Sequence, residues 1–247
     1  MKLFVANWKM HMTRPEARAY AEALSEILGD GAPRRELVLA PPYTALEAAR
    51  DLKGRWSLAG QNVAAEARGA FTGEVSAAML SDAGCRYVIV GHSERRRIFG
   101  EGEETLAKKL ARVREAGLVP IYCVGETGEE RAAGQTSKIL ARQTATLAAD
   151  SSDSPLVVAY EPVWAIGTGV AATPRDAGEA RARLAELLSA RRSPRVLYGG
   201  SVTPENAEEL LEVSRVDGFL IGRASLNARS FAAIAGLSSL DGYPAGV

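Results

Sequence analysis

The segment Leu118-Val119-Pro120-Ile121-Tyr122-Cys123-Val124 is an apolar run without the polar–apolar alternation of a half-exposed strand. A strand of this kind is covered on both faces, as the parallel strands of α/β proteins are. Similar runs recur along the whole chain. Together they predict eight parallel strands, at residues 3–6, 37–40, 57–60, 87–90, 118–124, 156–160, 195–198 and 218–221.

Helix-start patterns lie between these runs. Residues 13–16 and 44–47 each have a Thr followed three positions later by a Glu, which is the spacing of a capping box. Thr173-Pro174 and Thr203-Pro204 each place a capping Thr before a Pro at the first helical position. We therefore expect a helix to begin at each of these four places.

Helix ends and one amphipathic face are also visible. Gly29, Gly84 and Gly117 stand where helices should end, because glycine readily adopts the left-handed conformation of a helix terminus. The segment 103–116 has apolar residues spaced three and four apart, which predicts a helix with one buried face. That face would consist of Leu106, Ala107, Leu110 and Val113.

The number and spacing of these units predict the fold class. Eight strand–helix units within 247 residues match an α/β protein of the (β/α)8-barrel type, with eight parallel strands ringed by helices. We expect one domain over residues 1–247. A doubly wound sheet is the alternative, but no Gly-x-Gly-x-x-Gly follows the first run.

Composition limits the partners. The 30 basic and 30 acidic residues cancel, so no global charge attracts nucleic acid or an anionic membrane, and an anionic ligand must be held by a local site. The apolar stretch at residues 1–6 is too short for a signal peptide or a membrane span. Cys85 and Cys123 lack metal-ligand spacing and suit buried free thiols. We expect a cytoplasmic protein.

Polar residues follow several of the apolar runs directly. In a parallel barrel the carboxyl ends of all strands meet at one rim, where barrel enzymes keep their active sites. We therefore expect these side chains to converge on a single site, with glycine clusters after the seventh and eighth runs beside them. The polar residues are Asn7, Lys9, His92, Glu126 and Glu161.

Four longer motifs carry a family resemblance. Residues 7–9, 91–96, 159–169 and 198–202 closely resemble, in order, the motifs of the triosephosphate isomerase family, and the resemblance covers essentially the whole chain. It implies a TIM barrel that interconverts dihydroxyacetone phosphate and D-glyceraldehyde 3-phosphate through an enediolate, in glycolysis and gluconeogenesis. It implies no cofactor and no metal.

The same resemblance implies roles for the residues after the strands. Glu161 is the base, and its place after an apolar strand favours a raised pKa. His92 is the electrophile, kept neutral by a helix N-terminus. Lys9 is the cationic contact to the substrate, and Asn7 orients Lys9 and the substrate. Glu94 either lies close to the chemistry or pairs with Lys9.

Family positions for phosphate binding are also present. Gly167, Ser201, Gly222 and Arg223 match them, and backbone N–H groups there would bind the phosphate. Most family members have two glycines where this chain has Gly222-Arg223. The Arg223 side chain is expected to point to solvent while its backbone N–H stays available.

A lid is implied over residues 162–169. Trp164 would latch it, with Glu126 as the partner of Trp164 in the open state. Val170-Ala171-Ala172 replaces a more usual Lys-Thr-Ala at the far hinge, so opening and closing rates are expected to differ. The lid residues are Pro162, Val163, Trp164, Ala165, Ile166, Gly167 and Thr168.

The resemblance also implies a homodimer. Residues 69–74 resemble a projecting loop that docks into the neighbouring subunit. Thr72 would reach the partner's Asn7, and Glu74 would pair across the interface with Arg95.

Two other functions remain as alternatives. A phosphate-binding barrel lyase or synthase would share the glycine clusters, but it should lack the combination of Asn7, Lys9, His92 and Glu161. A non-catalytic binder on the same fold is disfavoured, because every catalytic position holds the expected residue type.

Overall fold

The protein is a closed barrel of eight parallel strands, each paired with the next and β8 with β1. The computed structural model describes residues 1–30, 34–51, 54–148, 154–165, 172–191 and 193–237. The predicted strands are confirmed, with small shifts at their ends. They are β1 (Leu3–Asn7), β2 (Glu36–Ala40), β3 (Ser57–Gly60), β4 (Cys85–Val90), β5 (Val119–Val124), β6 (Val157–Tyr160), β7 (Arg195–Tyr198) and β8 (Gly218–Ile221). One domain over 1–247 stays a prediction, because 238–247 lie outside the described residues.

Helices surround the barrel on the outside and join successive strands. Those in the described residues are α1 (Arg14–Leu28), α2 (Ala77–Asp82), α3 (Ser93–Phe99), α4 (Glu103–Glu115), α5 (Gly128–Ala132), α6 (Thr136–Ala148), α7 (Pro174–Leu187), α8 (Ala207–Ser214) and α9 (Ala228–Ile234). None of the described helices is long and apolar enough to cross a membrane.

Two of the four predicted helix starts are confirmed. The Glu16 carboxylate accepts the Thr13 N–H at 2.7 Å ahead of α1, and the Asp176 carboxylate accepts the Thr173 N–H at 2.9 Å ahead of α7. Both contacts satisfy an N–H that the helix itself leaves free. The three predicted helix-ending glycines all have positive φ, from 60° to 82°.

The capping box predicted at residues 44–47 is wrong. Two short 3₁₀ turns, Tyr43–Ala45 and Glu47–Ala49, occupy this stretch. The Glu47 carboxylate does not fold back onto Thr44, because it extends outward to the Arg14 guanidinium, 3.4 Å away.

The helix start predicted at Thr203-Pro204 is also wrong, because α8 begins at Ala207. The Asn206 side-chain oxygen accepts the Thr203 N–H at 2.8 Å and closes a turn before the helix.

The buried face of α4 differs from the prediction at one position: Lys109 is buried, whereas Ala107, which we expected to be buried, is exposed. Burial of Lys109 is tolerated because its ammonium group lies 2.6 Å from the Glu101 carboxylate.

The core has two layers that together hold the rim rigid. An inner cluster fills the barrel, with Leu3, Val38, Tyr87 and Ile121 among its members, and an outer cluster packs the helices against the strands. The barrel closes tightly at Gly218, where a Cβ would lie 1.8 Å from the Leu3 carbonyl oxygen. Both cysteines are free and buried, as expected.

Candidate active site

Glu161 follows β6 directly and is 2% exposed. Its backbone N–H donates to the Val124 carbonyl at 2.7 Å, so β5 anchors the main chain that carries it. One carboxylate oxygen accepts the Ser93 N–H at 2.8 Å, and the other lies 3.0 Å from His92 Nε2. The carboxylate is therefore held by donors from the loop after β4.

His92 is the residue that precedes α3, and it is also buried. Its Nδ1 accepts the Glu94 backbone N–H at 3.3 Å, which places the ring proton on Nε2. Nε2 therefore donates to the Glu161 carboxylate. The predicted position of His92 at a helix N-terminus is confirmed.

The two groups shift each other's pKa. Burial raises the pKa of Glu161, but the His92 ring and the Ser93 N–H lower it by more than burial raises it. The pKa of Glu161 is therefore below its ordinary value. Burial lowers the pKa of His92, while the Glu161 charge raises it above the ordinary value. The prediction of a raised pKa for Glu161 is therefore wrong for this arrangement. A neutral His92 stays a prediction, and it agrees with an Nδ1 that accepts the Glu94 N–H.

Lys9 has an unusual backbone that points to a functional role. Its φ is 52°, a left-handed conformation that is costly for a residue other than glycine. The Asn7 side-chain oxygen accepts the Lys9 N–H at 3.1 Å, and the Gln61 side-chain amide donates to the Lys9 carbonyl at 2.8 Å. Sequence reasoning missed Gln61, although it follows β3 just as the other polar residues follow their strands.

The Lys9 ammonium group lies 2.7 Å from the Glu94 carboxylate, with both side chains about one-third exposed. Both positions left open for Glu94 are found together, because its other carboxylate oxygen lies 3.6 Å from His92 Nδ1. The ammonium group remains accessible from solvent, so an anionic substrate can reach it.

The loop after β8 lies against Lys9. A Cβ at Gly222 would be 3.4 Å from Lys9 Cε and 3.7 Å from Nζ. Arg223 opens a short 3₁₀ turn with its side chain exposed, and its φ is not positive. The expected exposure of the Arg223 side chain is confirmed, and the availability of its backbone N–H stays a prediction. Ser201 is exposed in the loop after β7, and Gly167 lies outside the described residues.

The start of the predicted lid is bonded to the loop after β5. Trp164, in the 3₁₀ turn Val163–Ala165, donates its indole N–H to Glu126 Oε1 at 2.9 Å. The Tyr160 hydroxyl donates to the same oxygen at 2.9 Å, and the Arg131 guanidinium lies 4.2 Å from the Trp164 ring centroid. Sequence reasoning missed Tyr160 and Arg131. Ile166, Gly167 and Thr168, and the hinge residues 170–171, lie outside the described residues.

An open cavity of about 250 Å³ joins the polar site to an apolar surface. Its polar lining residues include Asn7, Lys9, His92 and Glu94, and its apolar lining residues are Met10, Tyr43 and Phe99. Thr72 and Glu74 are exposed in their projecting loop, and Arg95 pairs with Glu101 within the chain.

These groups define the class of protein. A buried carboxylate, a histidine and an accessible ammonium group at the carboxyl ends of barrel strands are the parts of an acid–base enzyme acting on a small anionic carbonyl compound. The described residues contain no cluster of three or more His, Cys, Asp or Glu side chains arranged for a metal. The convergence of these side chains at the rim defines the chain as a (β/α)8-barrel enzyme.

Comparison with known proteins gives the family. The family model described as triosephosphate isomerase matches residues 2–238. Relatives named triosephosphate isomerase include one from Nitratidesulfovibrio vulgaris. It is 47% identical over an alignment of 247 residues, gaps included, which covers 94% of this chain and 98% of the relative. One from Aquifex aeolicus is 44% identical over 242 residues, with the same coverage. One from Symbiobacterium thermophilum is 48% identical over 251 residues, covering 94% of each chain.

The chain therefore belongs to the triosephosphate isomerase family. It is an intramolecular isomerase whose reaction is the interconversion of dihydroxyacetone phosphate and D-glyceraldehyde 3-phosphate. The family assignment favours this activity over the lyase, synthase and binder alternatives.

Proposed function

We propose that Glu161 is the base of this isomerisation, with His92 and Lys9 stabilising the negative charge that develops on the substrate oxygens. The observation that carries the proposal is the buried Glu161 carboxylate facing the His92 ring at 3.0 Å, beside the cavity that Lys9 lines. A base and a hydrogen-bond donor that face each other across one site are what proton transfer next to a carbonyl requires.

Substrate binding would separate the pair. Once Glu161 leaves His92 and the Ser93 N–H, the donors that lower its pKa are gone and burial raises it. His92 simultaneously loses the carboxylate that raises its pKa, so its neutral form is favoured. The Nε2–H then donates to the substrate oxygens. Separation of the pair thus produces both a stronger base and a neutral electrophile.

The proton balance follows from these positions. Glu161 takes the proton from the hydroxyl-bearing carbon next to the carbonyl, and the C–H electron pair forms the enediolate. The protonated carboxyl group then returns the proton to the former carbonyl carbon. In the same step His92 donates its Nε2 proton to the former carbonyl oxygen and takes the proton of the other oxygen, which becomes the new carbonyl oxygen. His92 Nε2–H and the Lys9 ammonium group stabilise the oxygens throughout, and Asn7 holds the Lys9 backbone in place.

Phosphate binding is assigned to backbone N–H groups near Lys9. Gly222 lies close enough to the Lys9 side chain for one anion to contact both. Ser201, Arg223 and Gly167 complete this site in our proposal. Lid residues 162–169 would then close over the phosphate, exclude water and prevent loss of phosphate from the enediolate.

We infer a homodimer from the cavity beside the site. Its apolar lining residues Met10, Tyr43 and Phe99 are exposed in the single chain. The projecting loop of a second copy would fill the cavity, bringing Thr72 toward Asn7 of the partner subunit and Glu74 toward the partner's Arg95.

We also propose that the protein is a cytoplasmic enzyme of glycolysis and gluconeogenesis. Its two buried free thiols suit the reducing conditions of the cytoplasm.

Hydrogen exchange tests the role of the base. In deuterated water the wild-type protein should incorporate deuterium from solvent into the triose phosphates, next to the carbonyl group. Glu161→Gln keeps the shape of the side chain without its basicity, so it should abolish turnover and exchange together while inhibition by inorganic phosphate persists. Continued exchange in this variant would refute the assignment.

A further inference from the structure

The main chain at residues 124–126 lies directly against the main chain of Glu161. The Glu161 N–H donates to the Val124 carbonyl at 2.7 Å, and the Val163 N–H donates to the Glu126 carbonyl at 3.1 Å. Between these bonds a Cβ at Gly125 would lie 1.8 Å from the Glu161 carbonyl oxygen. Only glycine permits this contact, so the position of Gly125 determines where the backbone of Glu161 lies.

Gly125 has no strand on its other side to bond with. The pairing of β4 with β5 ends at Val90 and Tyr122, before the chain reaches Gly125. The part-buried N–H and carbonyl of Gly125 therefore take their partners from a side chain. The Gln143 side chain supplies both partners, because its oxygen accepts the Gly125 N–H at 2.8 Å and its amide donates to the Gly125 carbonyl at 3.1 Å.

Gln143 is itself well held. It lies on α6, is 5% exposed, and its backbone carbonyl accepts the Tyr122 hydroxyl at 3.0 Å. A cavity of about 420 Å³ borders Gly125, Gln143 and Glu161. Without the Gln143 amide, the segment at Gly125 would have room to shift into this cavity and water would have access to its free backbone groups.

We propose that Gln143 is a positioning residue for the base. Its side-chain amide makes the two backbone hydrogen bonds that a neighbouring strand would otherwise make, and so holds Gly125 against Glu161. The inference rests on the proposed role of Glu161. It predicts an effect on kcat more than on KM, because a base displaced by about 1 Å can lose ~10²-fold in rate while phosphate contacts on other strands are unchanged.

The test is Gln143→Met, which removes both hydrogen bonds at similar volume. Thr144→Val is the matched control, since Thr144 is 5% exposed on the same helix and donates to the Leu140 carbonyl at 2.7 Å without touching Gly125. We expect kcat to fall about tenfold or more in Gln143→Met, with KM and phosphate inhibition within about twofold of wild type. Thr144→Val should lose thermal stability but keep its kcat.

A second variant keeps the inference testable if Gln143→Met folds poorly. Gln143→Asn keeps an amide but shortens its reach by one methylene, so it should also lower kcat with little change in KM. Equal kcat losses in Gln143→Met and Thr144→Val, or a wild-type kcat in the position-143 variants, would overturn the inference. Continued hydrogen exchange in Glu161→Gln would instead refute the proposed role of Glu161, so the two failures are distinguishable.

Discussion

His92 Nε2 lies 3.0 Å from the Glu161 carboxylate, and each group shifts the pKa of the other toward its charged form. In our proposal, the resting enzyme therefore keeps its base paired with its electrophile. A substrate must compete with His92 and with the Ser93 N–H for the carboxylate. Binding and activation of the base are thus one event in this account.

The His92–Glu161 pair should leave a signature in the pH dependence of stability. Because the pKa of His92 is raised on folding, its contribution is complete below its ordinary pKa of 6.5 and is lost as pH rises through the folded value. The lowered pKa of Glu161 keeps it ionised across this range. In denaturant unfolding, the advantage in stability of wild type over His92→Gln should be largest below pH 6.5 and shrink as the pH rises above that value. An advantage that grows with pH would contradict the pairing.

The latch between Trp164 and Glu126 should favour the open lid. Trp164→Phe removes the 2.9 Å hydrogen bond, so the free energy needed to close the lid should fall. Because the closed lid covers the ligand, the unreactive analogue glycerol 3-phosphate should then bind about threefold more tightly. Trp56→Phe is the control, since the Trp56 indole donates to the Ala49 carbonyl at 2.9 Å away from the lid. The inhibition constant is the measurement. Unchanged or weaker binding in Trp164→Phe would count against the latch.

Phosphate binding should depend on the backbone after β8 and not on the Arg223 side chain. Gly222→Val adds bulk next to Lys9 Cε and should raise KM about tenfold, or about 1.4 kcal/mol of binding. Arg223→Ala removes only an exposed side chain and should leave KM within about twofold of wild type. Steady-state kinetics of both variants decide the point. A large KM effect in Arg223→Ala alone would place the phosphate on that side chain.

Assembly and activity should be linked through the projecting loop. Thr72 is exposed at its tip, so Thr72→Arg should block docking, yielding a monomer by sedimentation with at least a tenfold lower kcat (about 1.4 kcal/mol). Val213→Arg adds the same charge at an exposed position on α8 and should keep wild-type mass and activity. A monomeric wild type with full activity would show that the loop has another role.

The barrel and the residues on its rim could be predicted from the chain because they depend on local patterns. Continuous apolar runs gave the strands, and the polar residues that follow them gave Asn7, His92 and Glu161. The predicted Thr44–Glu47 capping box was wrong because the Glu47 side chain contacts Arg14, which is distant in sequence, instead of Thr44.

The charge state of the site could not be predicted in this way. The pKa of Glu161 depends on donors from the loop after β4, which are distant in sequence and meet Glu161 only in the folded barrel. The left-handed backbone of Lys9 likewise depends on contacts from Asn7 and Gln61. Gln143 had no motif to mark it, since its importance arises from where β4 ends.

The most direct test of the account is the turnover of Glu161→Asp with D-glyceraldehyde 3-phosphate in a coupled assay. The shorter side chain withdraws the carboxylate by roughly one methylene, so kcat should fall by ~10²-fold or more, with a much smaller change in KM. A kcat close to that of the wild-type enzyme would show that Glu161 is not the base.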